Sequence, residues 1–573
     1  MYFFRILAVW LARGAGHFVR ATRQNVRPPA HFGFVQGMRV MSPKSKISRS
    51  TFKTSIAAAL AVGALAWGSG AAGQTITAVM QSGLRVVDPI LSTAFITRNH
   101  GYMIYDTLFG MDSNYKIQPQ MVDKWEVSED KKTYVFSLRD GLKWHDGAPV
   151  EAEDCVASIK RWAKADAVGQ LLLPNIADIK VLDAKRFQVV LNEPTGLLME
   201  GLAKLSTAPA FMMPKRIADT PSTESIKEFV GSGPFKFVVS EFKPGLNVVY
   251  EKNRDYVPRP EPASWTAGGK VVNVDRVQWV SMPDQMTAVN ALLNGEADYM
   301  EQVPFDLLPL VQASNAVKVD TLDRLGSWTY YRFNHLQPPF NNKKVRQAAL
   351  HAVSQERVLK ALVGDPKYYK TCAAVFGCGN PYGTNYGEEV VVPGNIEKAA
   401  ALLKESGYDG TPIVILHPTD IAISAAQPVV IADALRKAGF KVELKAMDWQ
   451  TVVTLRSNQK PVSEGGWSIF STYSNLATSG DPIGNSTIAS AGKKSWAGWP
   501  DVPEIEALRL QFTRASDVAE RKEITAKIQK LAIDEGVVGP LGQFVIPAAY
   551  SKKLSGVLDS PVTVFWNIKK SGQ

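Results

Sequence analysis

The sequence predicts an α/β protein built from more than one domain, and three observations lead there. The chain has 573 residues, too many for a single hydrophobic core, so two or three domains are expected. Its second half alternates helix, glycine stop and strand, the pattern of layered α/β structure. Residues 105–162 join an alternating strand, two glycine turns and an amphipathic helix into one unit. Apolar residues make up 45% of the chain, an ordinary share for a globular protein.

Residues 74–80 read as the first strand. Residues 105–110 are apolar and end in a glycine, and 124–127 are short and mixed. In 133–138, Tyr134, Phe136 and Leu138 share one face, as in a half-buried strand. Asp140-Gly141 and Asp146-Gly147 are turns, because glycine takes positive φ without a steric penalty. Pro149 leads into a helix with Ala152, Cys155, Val156 and Ile159 on one face. A strand over 185–192 precedes Pro194. Gly231-Ser232-Gly233-Pro234 is a tight turn feeding a strand over 235–240. Strands over 246–252 and 275–280 and a helix over 284–293 follow. Asn341 or Asn342 caps the next helix. Helix 396–406 stops at Gly407 before strand 412–416, and helix 428–438 stops at Gly439 before strand 440–446. Residues 505–513 and 519–534 are two amphipathic helices.

The formal charge of +11 looks like a nucleic-acid signal, but its distribution removes that reading. The first 73 residues hold ten of the 65 Lys and Arg residues and no acid, leaving 55 bases against 54 acids in the rest. The body therefore has no global basic field for phosphate backbones. Residues 44–53 form a basic segment, 54–67 an apolar one, and 68–73 are small, as in a secretory signal peptide cleaved before Gln74. The 54–67 run is too short to span a bilayer, and no cysteine at the cleavage point suggests a lipid anchor. Residues 1–40 read as an extension from a mis-assigned start, with Met38 or Met41 as the true start; a long targeting extension is the competing reading. No later apolar run is long enough to cross a membrane.

The order of these pieces resembles the family 5 extracytoplasmic solute-binding proteins, the dipeptide-, oligopeptide- and nickel-binding group that serves ABC importers. The matching segments are Tyr105-Asp106-Thr107-Leu108, residues 119–125, 133–147 and 152–156, with Cys155 where the family usually has valine. Val87-Asp88-Pro89, Gly231-Ser232-Gly233-Pro234-Phe235 and Asn253-Arg254-Asp255-Tyr256 fit as well. Pro339-Phe340-Asn341-Asn342-Lys343-Lys344-Val345-Arg346-Gln347-Ala348 matches almost residue for residue. The resemblance covers nearly all of residues 75–573. It implies a two-lobed periplasmic binding protein fold, type II-like, in the large cluster with an extra subdomain in the first lobe, and with the ligand cleft between the lobes. The lobes then span 74–328 and 329–540, with 541–573 returning to the first. It also implies a monomer that delivers a peptide or other small solute to an inner-membrane ABC permease, after export to the periplasm.

Enzyme signals are absent. His100, His145, His335, His351 and His417 have no metal spacing, and there is no HExxH. Ser490-Ala491-Gly492-Lys493 matches Ser-x-x-Lys but lacks the partner motifs of a penicillin-recognising enzyme. No catalytic residue, metal ligand or cofactor is assigned. Cys372 and Cys378, six apart, are either a short disulfide or two thiols.

Binding signals are stronger. Residues 464–499 are rich in Trp, Ser, Thr, Gly and Asn, which suits a pocket with aromatic walls and small polar groups. By resemblance, Gly466-Trp467 is the family's cleft-lining pair, whose backbone bonds an extended peptide as a strand would. Dipeptide binders place an acid soon after it for the ligand's ammonium group. This chain has Ser468-Ile469-Phe470 there, and the nearest acid is Asp481. The expected ligand contacts are Thr93 and Thr97 from the first lobe, with Gly466, Trp467, Tyr473, Asp481 and Trp496 from the second. The alternatives are a non-peptide solute such as a metal chelate, glutathione-like thiol, opine or oligosaccharide, a secreted hydrolase with a divergent site, and an export-linked chaperone.

Overall fold

The computed structural model describes residues 74–571 except Thr93, Pro283, Asp420, Ile421 and Ser516. The expected signal peptide and N-terminal extension, and Thr93, lie outside the described residues. Strand Thr75–Val79 is flanked by parallel partners, Arg276–Val280 and Tyr299–Met300. Around it grows a seven-stranded sheet ordered Val317–Asp320, Ala548–Ser551, Tyr299–Met300, Thr75–Val79, Arg276–Val280, Asn247–Lys252, Phe235–Phe237. A six-stranded sheet forms the second lobe, ordered Tyr369–Lys370, Gly539–Phe544, Ser327–Phe333, Ile469–Asn475, Ile413–Pro418, Val442–Met447. Its strand Ser327–Phe333 is buried at every position, including the polar Ser327, Thr329 and Arg332.

The chain passes between these sheets after Asp320 and returns after Phe544. The two crossings touch. Gly326 sits at φ +66°, and a Cβ there would lie 2.4 Å from the Phe544 carbonyl oxygen. Only glycine meets both demands.

A third, antiparallel sheet is ordered Val122–Val127, Thr133–Leu138, Arg186–Leu191, Ile176–Val181. Helix Ala152–Ala165 packs on it and buries Ala152, Cys155, Val156 and Ile159. Burial raises the Cys155 thiol well above the usual range, so it is an inert core group. Asp154 ties this unit together: its carboxylate accepts from Glu151 N (2.9 Å), Trp144 Nε1 (3.1 Å) and Lys215 N (2.6 Å).

The other signature residues are ties of the same kind. Asp88 pairs with buried Arg161 at 2.8 Å and accepts from Ile90 N and Ile226 N. Asp106 pairs with buried Lys270 at 2.6 Å and accepts from Tyr256 Oη at 2.9 Å. His145 joins its own turn to the glycine turn at 231–233. Its Nδ1 accepts from Gly231 N and its Nε2 donates to the Gly233 oxygen, both at 3.2 Å. Burial holds this ring neutral, its pKa down to about 4.

Cys372 and Cys378 form a disulfide. Among the described residues, no helix is long and apolar enough to cross a membrane.

Candidate functional site

Between the sheets lies a cleft of about 2090 Å³. The first lobe supplies the loop 79–83 after its central strand, Thr97 from helix Phe95–Ile104, and residues 302–306. The second lobe supplies Tyr330, residues 472–475 of strand Ile469–Asn475, Trp449, Arg456 and Trp496. Ile546, in the returning crossing, also lines it.

Strand Ile469–Asn475 pairs along its whole length with Ser327–Phe333. On its other side, strand Ile413–Pro418 pairs only with Ile469 and Phe470. Among the described residues no strand lies beside that edge from Ser471 onward, and residues 472–475 border the cleft. An unpaired edge offers main-chain donors and acceptors to an extended ligand.

Of the residues expected at the site, Thr97, Tyr473 and Trp496 line the cleft. Thr97 Oγ1 donates to the Val86 carbonyl at 2.8 Å. The Tyr473 ring packs edge-on against Phe544 at 5.5 Å, and burial, with Glu301 nearby, pushes its hydroxyl up to about 12.

Gly466, Trp467 and Asp481 lie off the cleft lining, each for a physical reason. Gly466 packs onto the main chain, and a Cβ there would meet the Lys460 oxygen at 1.9 Å. Trp467 is fully buried with Leu416, Val452, Phe470 and Trp499, and its carbonyl accepts from Asn334 Nδ2 at 3.0 Å. The Asp481 carboxylate closes its own turn, accepting from Ile483 N (2.7 Å) and Gly484 N (2.8 Å). Burial raises its pKa.

Arg456 also lines the cleft, with no signal in the sequence to mark it. It caps the C-terminal end of helix Trp449–Leu455. Its guanidinium stands 5.9 Å from the Trp449 ring centre and 5.2 Å from that of Trp496. Among the described residues it has no hydrogen bond or ion pair, and burial lowers its pKa. The other half-buried cations of the lining are matched: Lys204 pairs with Asp166, and Arg509 with Glu506 at 2.8 Å. Behind Trp496 lies fully buried Arg332, 5.4 Å from the same ring. It donates to the carbonyls of Ala497 (3.0 Å), Thr487 and Val537 (3.2 Å), and among the described residues its Nη2 has no partner.

Ser490, in the Ser-x-x-Lys match, is buried and donates to the Ile488 carbonyl at 2.8 Å. Its lysine, Lys493, is exposed. Among the described residues no three His, Cys, Asp or Glu side chains are placed to hold a metal ion.

The family model of bacterial extracellular solute-binding proteins, family 5, matches residues 116–495. A probable peptide ABC transporter periplasmic-binding protein of Sinorhizobium fredii is 43% identical over 530 residues, 91% of this chain and 99% of that one. Among solved structures, a dipeptide-binding protein of a Pseudoalteromonas species in complex with Met-Leu superposes with a TM-score of 0.74. It is 18% identical, over 87% of this chain and 100% of that one. An agropinic acid complex of the binding protein AgaA from A. tumefaciens R10 superposes with a TM-score of 0.72. It is 22% identical, over 87% and 99% of the two chains. The fold is thus that of the two-lobed binding proteins, and the chain belongs to family 5 of the bacterial extracellular solute-binding proteins.

Proposed function

We propose that this protein is the substrate-binding component of an ABC importer, and that it captures a peptide or peptide-like solute between its lobes for delivery to an inner-membrane permease. The observation that carries this reading is the free edge of strand Ile469–Asn475 beside a cleft walled by both lobes. A ligand touching both walls stabilises the closed arrangement over the open one, and this coupling is what a permease can sense. The cleft volume, about 2090 Å³, is roughly twice the upper end of ordinary small-molecule pockets, about 1,000 Å³. That leaves room for an extended peptide. The 43% identity to a probable peptide-binding relative over nearly its full length supports the same reading.

The protein acts as a periplasmic monomer, freed from its leader near Gln74, with no catalytic residue and no cofactor. Thr97, Tyr473 and Trp496 touch the ligand. The test is a thermal-shift panel of di- to pentapeptides, opines, chelates and oligosaccharides. A ligand at about a hundred times its dissociation constant adds roughly 2.7 kcal/mol to stability. A shift with peptides supports the reading; a shift only with another class replaces the substrate and keeps the binding role.

A further inference from the structure

We infer that the cleft is selective for a carboxylate-bearing solute, whose carboxylate is received by Arg456 between Trp449 and Trp496. This rests on the reading that solute binds in the cleft, and goes beyond it by naming the charge of the ligand and the residue that selects it.

The charge of Arg456 is uncompensated by the described residues. A guanidinium taken partly out of water needs a counter-charge or a full set of acceptors. Among the described residues Arg456 has neither; it has two indole rings beside its guanidinium, which leave its N–H groups unspent. Arg332, on the same Trp496 ring, adds a second positive charge matched only by carbonyl oxygens. The Tyr330 hydroxyl, the polar group that both arginines act on, is already hydrogen-bonded to Ser474 Oγ at 2.8 Å.

The lining acids do not answer this field. Asp166 is engaged by Lys204 and caps helix Ala167–Leu172. Asp306 is exposed, on the first lobe. The exposed Lys494 adds positive charge beside Trp496. A carboxylate is planar and accepts two parallel N–H bonds from a guanidinium, which makes it the ligand group that fits this fork. The ligand's amino end meets no acid at Ser468, whose Oγ lies off the cleft lining and accepts from the second-lobe main chain. Its partner there is Val414 N, at 3.0 Å.

The test is calorimetric titration of the purified protein and its Arg456→Gln and Arg456→Lys variants. The probes are trialanine, its C-terminal amide, its N-acetyl form, an Ala-Glu-Ala amide whose only carboxylate is the side chain, and an N-(1-carboxyethyl) amino acid as a non-peptide carboxylate. Amidation of trialanine is expected to weaken binding about 10- to 100-fold, the worth of a charge-assisted bond, while N-acetylation changes it less than about 3-fold. In Arg456→Gln the acid falls to the level of the amide and the amide is unchanged; Arg456→Lys keeps part of the preference. The Ala-Glu-Ala amide tells a terminal from a side-chain carboxylate. The ligand-free Arg456→Gln protein melts no lower than the parent, because no partner is orphaned. Equal binding of acid and amide, or an Arg456→Gln protein that binds the acid like the parent, overturns the inference and leaves the peptide reading intact. Binding of the non-peptide carboxylate alone, lost in Arg456→Gln, upholds the inference and ends the peptide reading. Binding of no carboxylate overturns it.

Discussion

Asn475 Nδ2 donates a 2.6 Å hydrogen bond to Asp323 Oδ2, joining the last residue of the cleft strand to the first crossing between the lobes. The other carboxylate oxygen of Asp323 accepts from Leu325 N (3.1 Å) and Gly326 N (3.0 Å), so one side chain shapes the crossing and holds the strand. Replacing Asn475 with alanine leaves that oxygen unanswered. The expected loss is about 1.5–3 kcal/mol, the range for a bond to a charged group, read as a shift in denaturant midpoint. A loss near zero would mean that water replaces the amide and the crossing is not tied to the cleft.

A second tie lies outside the cleft lining. Arg521, on helix Val518–Asp534, donates to Glu200, on helix Leu197–Leu202, at 2.5 Å, and Thr195 Oγ1 donates to the Thr513 carbonyl at 2.7 Å. These contacts join the unit carrying the third sheet to the helices of the second lobe. A double-mutant cycle with Glu200→Gln and Arg521→Met should return a coupling of about 1–2 kcal/mol, between the values for exposed and buried pairs. A coupling near zero would mark the pair as screened and remove its role as a latch.

Acid should destabilise the protein. Burial pushes His100 down to about 3 and His145 down to about 4. Both are depressed bases, so below about pH 6.5 the unfolded chain binds protons that the folded one refuses, and stability falls as pH drops from there toward about 4. Asp323 has the opposite sign. Burial raises it to about 6, so the folded state holds its proton more tightly and this group's contribution grows as pH falls from about 6 toward 4. Unfolding free energies at about pH 7 and about pH 5 should therefore show a net loss. His145→Asn should make that loss smaller and Asp323→Asn should make it larger. The same sign of change in both variants would refute the assignment.

The disulfide closes a loop of only seven residues, Cys372 to Cys378. Chain entropy puts its worth at about 2 kcal/mol. Val375 and Cys378 also receive side-chain acceptors, from Gln529 and Gln543, so the loop should keep its shape when reduced. Melting the Cys372→Ser, Cys378→Ser double variant checks this: a modest drop is expected, and collapse of the cooperative transition is not.

The fold was largely legible because its elements carry local signals. The strand expected over 133–138 forms as Thr133–Leu138, and the helix after Pro149 buries the face its spacing implied. Asn342 caps helix Lys343–Ala352, and Gly407 and Gly439 adopt positive φ where helices were expected to stop. Two misreadings are instructive. Helix Ala422–Lys437 begins six residues before Pro428; proline suggested a first turn, and small residues carried the helix past it. Helix Phe95–Ile104 escaped notice because Arg98, Asn99 and His100 are buried among its apolar residues, which erases the amphipathic pattern. The cleft was less legible. The family signature lies in ties such as Asp88–Arg161 and Asp106–Lys270, which record the fold and not the ligand. Arg456 carries no signal of its own in the sequence. Its meaning comes from Trp496, forty residues later, which only the folded chain brings to it.

If one solute bridges the two lobes, hydrogen exchange should register it on both walls of the cleft together. Amide exchange would be followed in the purified protein with and without a saturating tripeptide. Exchange should slow together in residues 79–83 of the first lobe and residues 471–475 of the second. Protection confined to one lobe, or to neither, would contradict it.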